Sequence, residues 1–256
     1  MIVRTPEERE GVIEAGKRLG AVLEELSHAV RPGITTRELD AIAEKLIRDG
    51  GDVPSFKGYR PDGAPFPFPA ALCISVNDEV VHGIPGDRVI KEGDIVNLDL
   101  GLTHKGFIMD SALTVPVGTV PKETLKLLDT TQTALAAAIE TARPGARVGD
   151  ISFATQESFS GTGFSVVKVL GGHGVGAAVH EEPFIANAGH PGTGPEIKSG
   201  MVLALEPIAN AGKAGVMIAS DGYTYRTKDG SISAHFEHTI LVEDNETLIL
   251  TKRPSE

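Results

Sequence analysis

Acidic residues stand in several segments that otherwise have the composition of buried β-strands. Asp99 lies in Ile-Val-Asn-Leu-Asp-Leu, and Glu206 follows Met-Val-Leu-Ala-Leu. Asp110 is flanked by Ile-Met and Ser-Ala-Leu, and Glu237 lies just ahead of Thr-Ile-Leu-Val. A carboxylate in such a position is costly unless it is paired or hydrogen-bonded. The four acids therefore require a cation, a shared proton or exposure to water.

Asp99 and Asp110 flank the residues Thr-His-Lys-Gly, which can form a hairpin turn. A turn centred between His104 and Lys105 would place the two acids directly opposite each other. Their Cβ atoms would then lie about 4.5–5.5 Å apart, where like charges destabilise the sheet. The alternative is an exposed hairpin with solvated acids.

A histidine among glycines adds a nitrogen ligand to the four acids. His173 lies in Gly-Gly-His-Gly-Val-Gly, and glycines allow backbone and ligand to approach closely. His82 and His180 lie in Val-His-Gly-Ile-Pro and Val-His-Glu-Glu-Pro, although a single histidine is more often a surface or hydrogen-bonded core residue. One imidazole and four carboxylates suit Mn, Fe(II), Co or Zn, and their charge suits two divalent ions with a bridging hydroxide. Two such ions would polarise a carbonyl and generate hydroxide near neutral pH.

Other chemistries fit the sequence less well. The glycines around His173 match a dinucleotide-binding fingerprint only loosely. Ser75 and Ser111 lack the context of a nucleophile elbow. Cys73 lies in an apolar run and is interpreted as a pocket-lining or core thiol.

The elements that carry these residues alternate between helices and short strands. We predict a helix over 6–30 capped by Thr5, a second helix capped by Thr36, and a loop-rich segment over 51–70. Short apolar runs predict strands from Leu72 to Val120 and after Gly171. A further helix is predicted over 122–142.

The second half of the chain repeats motifs of the first in the same order. Arg-Pro-Gly occurs at 31–33 and at 143–145, and each is followed by a helix-like stretch. Gly-x-apolar-apolar-x-Leu-acid ends at Asp99 and again at Glu206, and strands centred on Asp110 and Glu237 follow. We therefore predict one α+β domain over 1–256 with a pseudo-twofold internal repeat. Its halves span roughly 6–120 and 121–250.

Composition limits the class of protein. The 256 residues carry a formal net charge of −11, which argues against nucleic-acid or anionic-membrane binding. No run of 18 apolar residues predicts a membrane span, and the charged start has no apolar signal core. A single Cys cannot form an internal disulfide, which is typical of a cytoplasmic protein.

Seven short motifs, taken together, resemble type I methionine aminopeptidases from about residue 3 to residue 250. They are VHGIP (81–85), GDIVNLD (93–99), MDSA (109–112), GHGVG (172–176), HEEP (180–183), LEP (205–207) and FEHT (236–239). The resemblance implies the pita-bread fold, an antiparallel sheet covered by helices. It also implies removal of the initiator methionine from deformylated nascent chains when the second residue is small, through attack of a metal-activated hydroxide on the scissile carbonyl.

The resemblance assigns a role to each site residue. Asp110, His173, Glu206 and Glu237 would hold one metal ion, and Asp99 would hold a second, with Asp110 and Glu237 bridging. Glu206 would also shuttle the proton of the attacking water. His180 would stabilise the oxyanion, and His82 would contact the peptide beyond the scissile bond.

Four features depart from the family pattern. The segment before Cys73 is long and rich in Pro and Phe, Tyr223 stands where Trp is expected, and Val179 stands where Phe is usual. These departures concern the methionine pocket, for which we predict Phe56, Tyr59, Phe68, Cys73, Val179 and Tyr223. His235 stands where Gln is usual. In a strand centred on Glu237, His235 would face the metals and hydrogen-bond a carboxylate or a bound water. It would then titrate near neutral pH. The alternative is a bulge that turns it away from the site.

Two other functions remain open at this stage. One is a pita-bread module that binds peptides or a ribosome without catalysis, which would be expected to have lost metal ligands. The other is an X-Pro aminopeptidase, which is disfavoured because the first helix begins near residue 6 with no separate domain before it. The resemblance implies nascent N-termini as partners, leaves room for a transient ribosome contact, and favours a monomer.

Overall fold

A long N-terminal helix lies against the central hairpin of the fold. In the computed structural model, which describes residues 1–256, helix α1 (Pro6–Ala29) begins at Thr5, whose hydroxyl accepts from the Glu8 amide. Glu8 accepts in return from the Thr5 amide, so a capping box fixes the start of the helix. The buried face of α1 packs on strands β4 (Ile95–His104) and β5 (Phe107–Pro116). This part of the prediction is confirmed.

The remaining helices follow the predicted order. They are α2 (Thr36–Asp49), α3 (Lys122–Thr141) and α4 (Val148–Glu157). The predicted cap of α2 is wrong by one residue, because Thr35 accepts from the Glu38 amide and Glu38 accepts from the Thr35 amide. No helix is both long and apolar enough to cross a membrane.

Fifteen strands, all paired antiparallel, form four small sheets. In chain order they are β1 (Val53–Pro54), β2 (Leu72–Val76), β3 (Glu79–Val81), β4 (Ile95–His104), β5 (Phe107–Pro116), β6 (Ser165–Val166), β7 (Gly171–Gly174), β8 (Glu181–Ala186), β9 (Val202–Leu205), β10 (Ile208–Asn210), β11 (Val216–Ile218), β12 (Tyr225–Thr227), β13 (Ser233–His235), β14 (His238–Val242) and β15 (Thr247–Ile249). Antiparallel sheets flanked by helices are the predicted fold class. The strand β1 lies inside the segment that we expected to be loop.

Two sheets position the candidate site. One contains β1, β4, β2 and β5 and the other has the order β15-β14-β9-β7-β8. A bridge between Ala112 and Glu237 joins them, since each residue's amide donates to the other's carbonyl at 3.4 and 2.9 Å. The site therefore forms where the two sheets meet.

Two apolar cores lie against the sheets, and strands of both sheets contribute to each: Ala204 and Leu241 of the second sheet lie in the first core, and Ile95 of the first sheet lies in the second. Side chains of α1 and α2 fill the first core, and side chains of α3 and α4 fill the second. The order of two helices followed by a sheet thus occurs twice along the chain. The internal repeat itself stays a prediction.

Candidate active site

The β4–β5 hairpin supplies two acids to one face of its sheet. Asp99 pairs with Ala112, and Asp110 pairs with Gly101, so the two acids are diagonal neighbours. The predicted direct pairing is wrong because the loop contains only Lys105 and Gly106, with φ of 48° and 89°. Two left-handed residues form the tight turn that matches strand twist. Alternation along the strands still brings both carboxylates to the same side.

Glu206 and Glu237 come from the second sheet. Glu206 directly follows β9, and Glu237 lies between β13 and β14. The strand that we predicted to be centred on Glu237 is therefore interrupted there. The Ser111 hydroxyl donates to the Glu237 carbonyl at 2.7 Å, which helps to hold this segment against the β4–β5 hairpin.

His173 faces the acids from β7. Its Nε2 lies 3.7 Å from Oε1 of Glu206 and 4.0 Å from Oδ2 of Asp110. Its Nδ1 lies 2.9 Å from the Gly174 carbonyl, and because a carbonyl can only accept, Nδ1 carries the proton. The Nε2 lone pair is thus directed toward the acids.

The glycines beside His173 serve close packing of strands. A Cβ on Gly172 would lie 2.2 Å from the Ala204 carbonyl oxygen, and one on Gly174 would lie 2.3 Å from that of Glu182. Only glycine allows β7 to fit between its neighbours at these points. We expected these glycines to let backbone and ligand approach closely, and at these two positions it is backbone that approaches.

The carboxylates of Asp99, Asp110 and Glu237 are buried and that of Glu206 is partly buried, without a lysine or arginine to neutralise them. Burial raises the pKa of Asp99 to about 7 and raises the pKa values of Asp110, Glu206 and Glu237 well above their ordinary range. Asp110 Oδ1 and Glu237 Oε1 are buried without a hydrogen-bond partner. No Lys or Arg lines the pocket. The cluster therefore has the oxygen donors and the negative charge of a site for divalent cations.

His235 lies beside the acids as expected, although β13 ends at this residue and the predicted continuous strand through Glu237 does not form. Its Nε2 is 3.7 Å from Oε2 of both Glu206 and Glu237. Asn97, which the sequence analysis missed, lies 3.1 Å away, where its amide nitrogen donates to Nδ1. Burial lowers the pKa of His235 to about 3, whereas we expected titration near neutral pH.

Apolar side chains lie above the acid cluster and form the wall of a pocket. All six side chains predicted for the methionine pocket line it: Phe56, Tyr59, Phe68, Cys73, Val179 and Tyr223. Pro61 and Val81 line it as well and were not predicted. Burial raises the pKa of the Cys73 thiol, so this side chain is neutral.

Tyr223 connects the wall to the Pro- and Phe-rich segment. Its ring lies 5.2 Å from those of Phe66 and Phe68, measured between centroids. Its hydroxyl donates to the Phe66 carbonyl. The long segment before Cys73 thus packs against the residue that stands where Trp was expected.

Two further histidines lie at the opening of the pocket. His180 Nδ1 is 2.9 Å from the Tyr59 hydroxyl, and its ring centroid is 4.5 Å from that of His173. Burial lowers the pKa of His180, and it lowers that of His82 to about 4. His82 has a left-handed φ of 59°, an uncommon conformation for a residue with a side chain. Both imidazoles are therefore neutral near pH 7.

Antiparallel sheets flanked by helices, with a buried carboxylate–histidine cluster beneath an apolar pocket, define a metallopeptidase of the pita-bread class. The chain belongs to metallopeptidase family M24, whose sequence profile matches residues 10–244. It is 45% identical over 252 residues to methionine aminopeptidase 1 of Bacillus subtilis, covering 98% of this chain and 99% of that protein.

Solved structures agree with this assignment. Methionine aminopeptidase of Thermotoga maritima superposes with a TM-score of 0.93 at 41% identity, covering 99% of this chain and 100% of that one. An Xaa-Pro dipeptidase of Bacillus anthracis superposes with a TM-score of 0.75 at 20% identity, covering 100% of this chain and 63% of that one. The second likeness concerns the fold alone.

Proposed function

We propose that this chain is a metal-dependent methionyl aminopeptidase. It is a hydrolase that removes the initiator methionine from deformylated nascent chains whose second residue is small. The observation that carries the proposal is the buried cluster of four acids and one histidine at the floor of an apolar pocket. Relatives of 44–45% identity that bear the name methionine aminopeptidase support it.

The acid cluster fits two divalent ions. Ligand atoms of Asp110, His173 and Glu237 lie within 4.8 Å of one another, and two of these acids have buried oxygens without a hydrogen-bond partner. Two divalent cations would offset four carboxylates. One ion would be held by Asp110, His173, Glu206 and Glu237, and the second by Asp99 together with Asp110 and Glu237. When bound, the ions supply the positive charge that polarises the peptide carbonyl and acidifies the attacking water.

Glu206 is the group that moves the proton. It lines both the deep pocket and its opening, where the scissile bond would lie. Its carboxylate accepts a proton from the attacking water and returns it to the departing amine. His173 and His235 face its two oxygens at 3.7 Å and so restrict its rotation.

His180 stabilises the charge that develops on the carbonyl oxygen. His180 Nδ1 lies 2.9 Å from the Tyr59 hydroxyl, and with this hydroxyl as the donor the proton of the neutral ring lies on Nε2. An Nε2–H that faces the pocket can donate to the developing oxyanion. His82, which also lines the opening, contacts the peptide beyond the scissile bond.

The apolar wall holds the methionine side chain. Its aromatic members suit a thioether, because sulfur makes favourable contacts with the edges of aromatic rings. The neutral Cys73 thiol belongs to this wall and takes no part in nucleophilic attack.

The proposal extends to the setting of the enzyme. The chain forms one domain over 1–256 with an internal repeat. It is a monomer in the cytoplasm, and its substrates are the N-termini of nascent chains. The single buried Cys supports a reducing compartment. A catalytically inactive binding module is disfavoured because all five ligand positions carry suitable side chains.

The test compares substrates after controlled metal loading. Protein stripped with a chelator is reloaded with Mn²⁺ or Co²⁺, and bound ions are counted by elemental analysis. We expect about two ions per chain and methionine release from Met-Ala-Ser, with no cleavage of Ala-Pro. A folded, loaded protein that releases no methionine would support the binding module, and cleavage of Ala-Pro at a comparable rate would support the X-Pro peptidase.

A further inference from the structure

The loop between β7 and β8, residues 175–180, carries two side chains of the proposed active site. Its last two residues are Val179, which lies in the apolar wall, and His180, which lies at the opening of the pocket. A donor to an oxyanion is effective only when it is held in place before the charge develops. The contacts that hold this loop therefore decide how well His180 can act.

The loop has few backbone hydrogen bonds of its own. The amides of Val175 and Gly176 donate to backbone carbonyls at 3.2 and 3.3 Å, and no other amide of residues 175–180 does so. The Gly176 carbonyl accepts from the Ile108 amide at 2.8 Å, which ties the start of the loop to β5. The residues after Gly176 need other partners, because backbone amides away from water have to be paired.

The Glu181 carboxylate supplies the missing acceptor. Its Oε1 accepts from the Ala177 amide at 2.6 Å and from the Ala178 amide at 2.8 Å, and its Oε2 lies 2.6 Å from the Met1 ammonium. Burial opposes ionisation of Glu181, but the hydrogen bonds from this ammonium and the two amides hold its pKa below the ordinary value. The ionised carboxylate thus closes a ring that includes the backbone of the last two residues of the loop.

We infer that Glu181 is a positioning residue for His180, because its carboxylate holds the loop so that the imidazole faces the scissile carbonyl. This inference rests on the proposed function, in which His180 donates to the developing oxyanion. Glu181 lines the cleft at the opening but not the deep pocket, so its effect passes through the loop. Hydrogen bonds to a charged acceptor are stronger than those to a neutral one, so the charge of Glu181 matters as well as its shape.

The first test compares Glu181→Gln with the wild type on Met-Ala-Ser after metal loading. Gln keeps the shape of the side chain but removes its charge. We expect kcat and kcat/KM to fall together about tenfold, with KM and metal content unchanged. A fall confined to KM, a loss of metal or an unchanged kcat would overturn the inference. Absence of methionine release from the loaded wild type would overturn the proposed function instead.

A double-mutant cycle distinguishes positioning of His180 from a general structural role. Glu181→Gln should lower the kcat of a His180→Ala enzyme by less than about twofold, because the group that Glu181 positions is already absent. The same tenfold fall in both backgrounds would overturn the inference.

The matched control is Asp150→Asn, which should leave kcat unchanged. The Asp150 carboxylate also accepts from two backbone amides, those of Arg147 and Gly192, each at 2.7 Å, and it lies outside both clefts. If the control lowers kcat as much as Glu181→Gln, loss of any such carboxylate has this effect and the inference fails.

The last test does not depend on activity. Amide hydrogen exchange of the metal-free protein, measured by mass spectrometry, should be about tenfold faster at Ala177 and Ala178 in Glu181→Gln than in the wild type, and unchanged in α1. If circular dichroism shows that Glu181→Gln does not fold, Glu181→Asp replaces it. This variant keeps the charge but shortens the side chain by one methylene, and it should change exchange and kcat in the same directions by smaller factors. Exchange of the loop at the wild-type rate in the folded variant would overturn the inference.

Discussion

Replacing Asp99 by Asn should stabilise the protein when no metal is bound. Burial raises the pKa of Asp99 from 3.8 to about 7, so the folded state holds this proton more tightly than the unfolded chain. Above pH 7 the carboxylate then destabilises the fold by about 4 kcal/mol, because each pKa unit corresponds to 1.36 kcal/mol at 25 °C. The contribution of Asp99 to the free energy of unfolding is therefore fully present below about pH 4, and it is lost as the pH rises to about 7.

The assay is urea unfolding with excess chelator at pH 5 and pH 8, followed by circular dichroism because the chain has no Trp. We expect the free energy of unfolding of Asp99→Asn to exceed that of the wild type by up to about 4 kcal/mol at pH 8 and by much less at pH 5. Added Mn²⁺ should make the wild type the more stable of the two proteins, since a ligand that binds the folded state stabilises it and the variant lacks the Asp99 carboxylate. The exposed Asp129→Asn on α3 is the matched control. A metal-free Asp99→Asn that is less stable than wild type at pH 8 would refute the electrostatic argument.

Three further predictions concern the same site. Asp110→Ala should abolish methionine release while the protein stays folded by circular dichroism, and near-wild-type turnover at limiting metal would exclude its role as a ligand. His180→Ala should lower kcat and kcat/KM together by about two to three orders of magnitude with unchanged metal content, whereas loss of metal would make His180 a ligand. His235→Gln should weaken metal binding about tenfold or more, measured by titration, and leave the acidic limb of the kcat/KM profile in place at saturating metal, because the pKa of His235 is already low. A shifted limb would show that His235 does titrate during turnover.

The acids could be found from sequence because they violate a simple rule about buried charge. Asp99 and Glu206 stand out since their neighbours are apolar, and assumed strand alternation predicts His235 beside Glu237 even though the strand is interrupted there. The same alternation could have identified Asn97, two residues before Asp99, as the partner of His235. This alternation was visible in the sequence, but Asn97 did not stand out, because a neutral amide in a strand carries no unpaired charge that has to be explained.

Positions that depend on local geometry were harder to predict. The Thr35 cap is visible in Thr-Thr-Arg-Glu, since a capping box spaces Thr and Glu by three residues. The hairpin register depends on whether Lys105 adopts a left-handed conformation, which side-chain type alone rarely decides. The packing of Tyr223 on Phe66 brings together residues 157 positions apart, and no local pattern encodes that contact.

The two-residue turn at Lys105 and Gly106 has a consequence for how the chain tolerates changes in length. Both residues are exposed, and exposed loop tips usually accept insertions. Here, an added residue that slips β5 by one position would send Asp110 to the opposite face of the sheet, away from Glu237. Every residue of the site would remain in the sequence, but the site would no longer assemble. Insertion scanning should therefore find this solvent-facing tip as sensitive as the core beneath it.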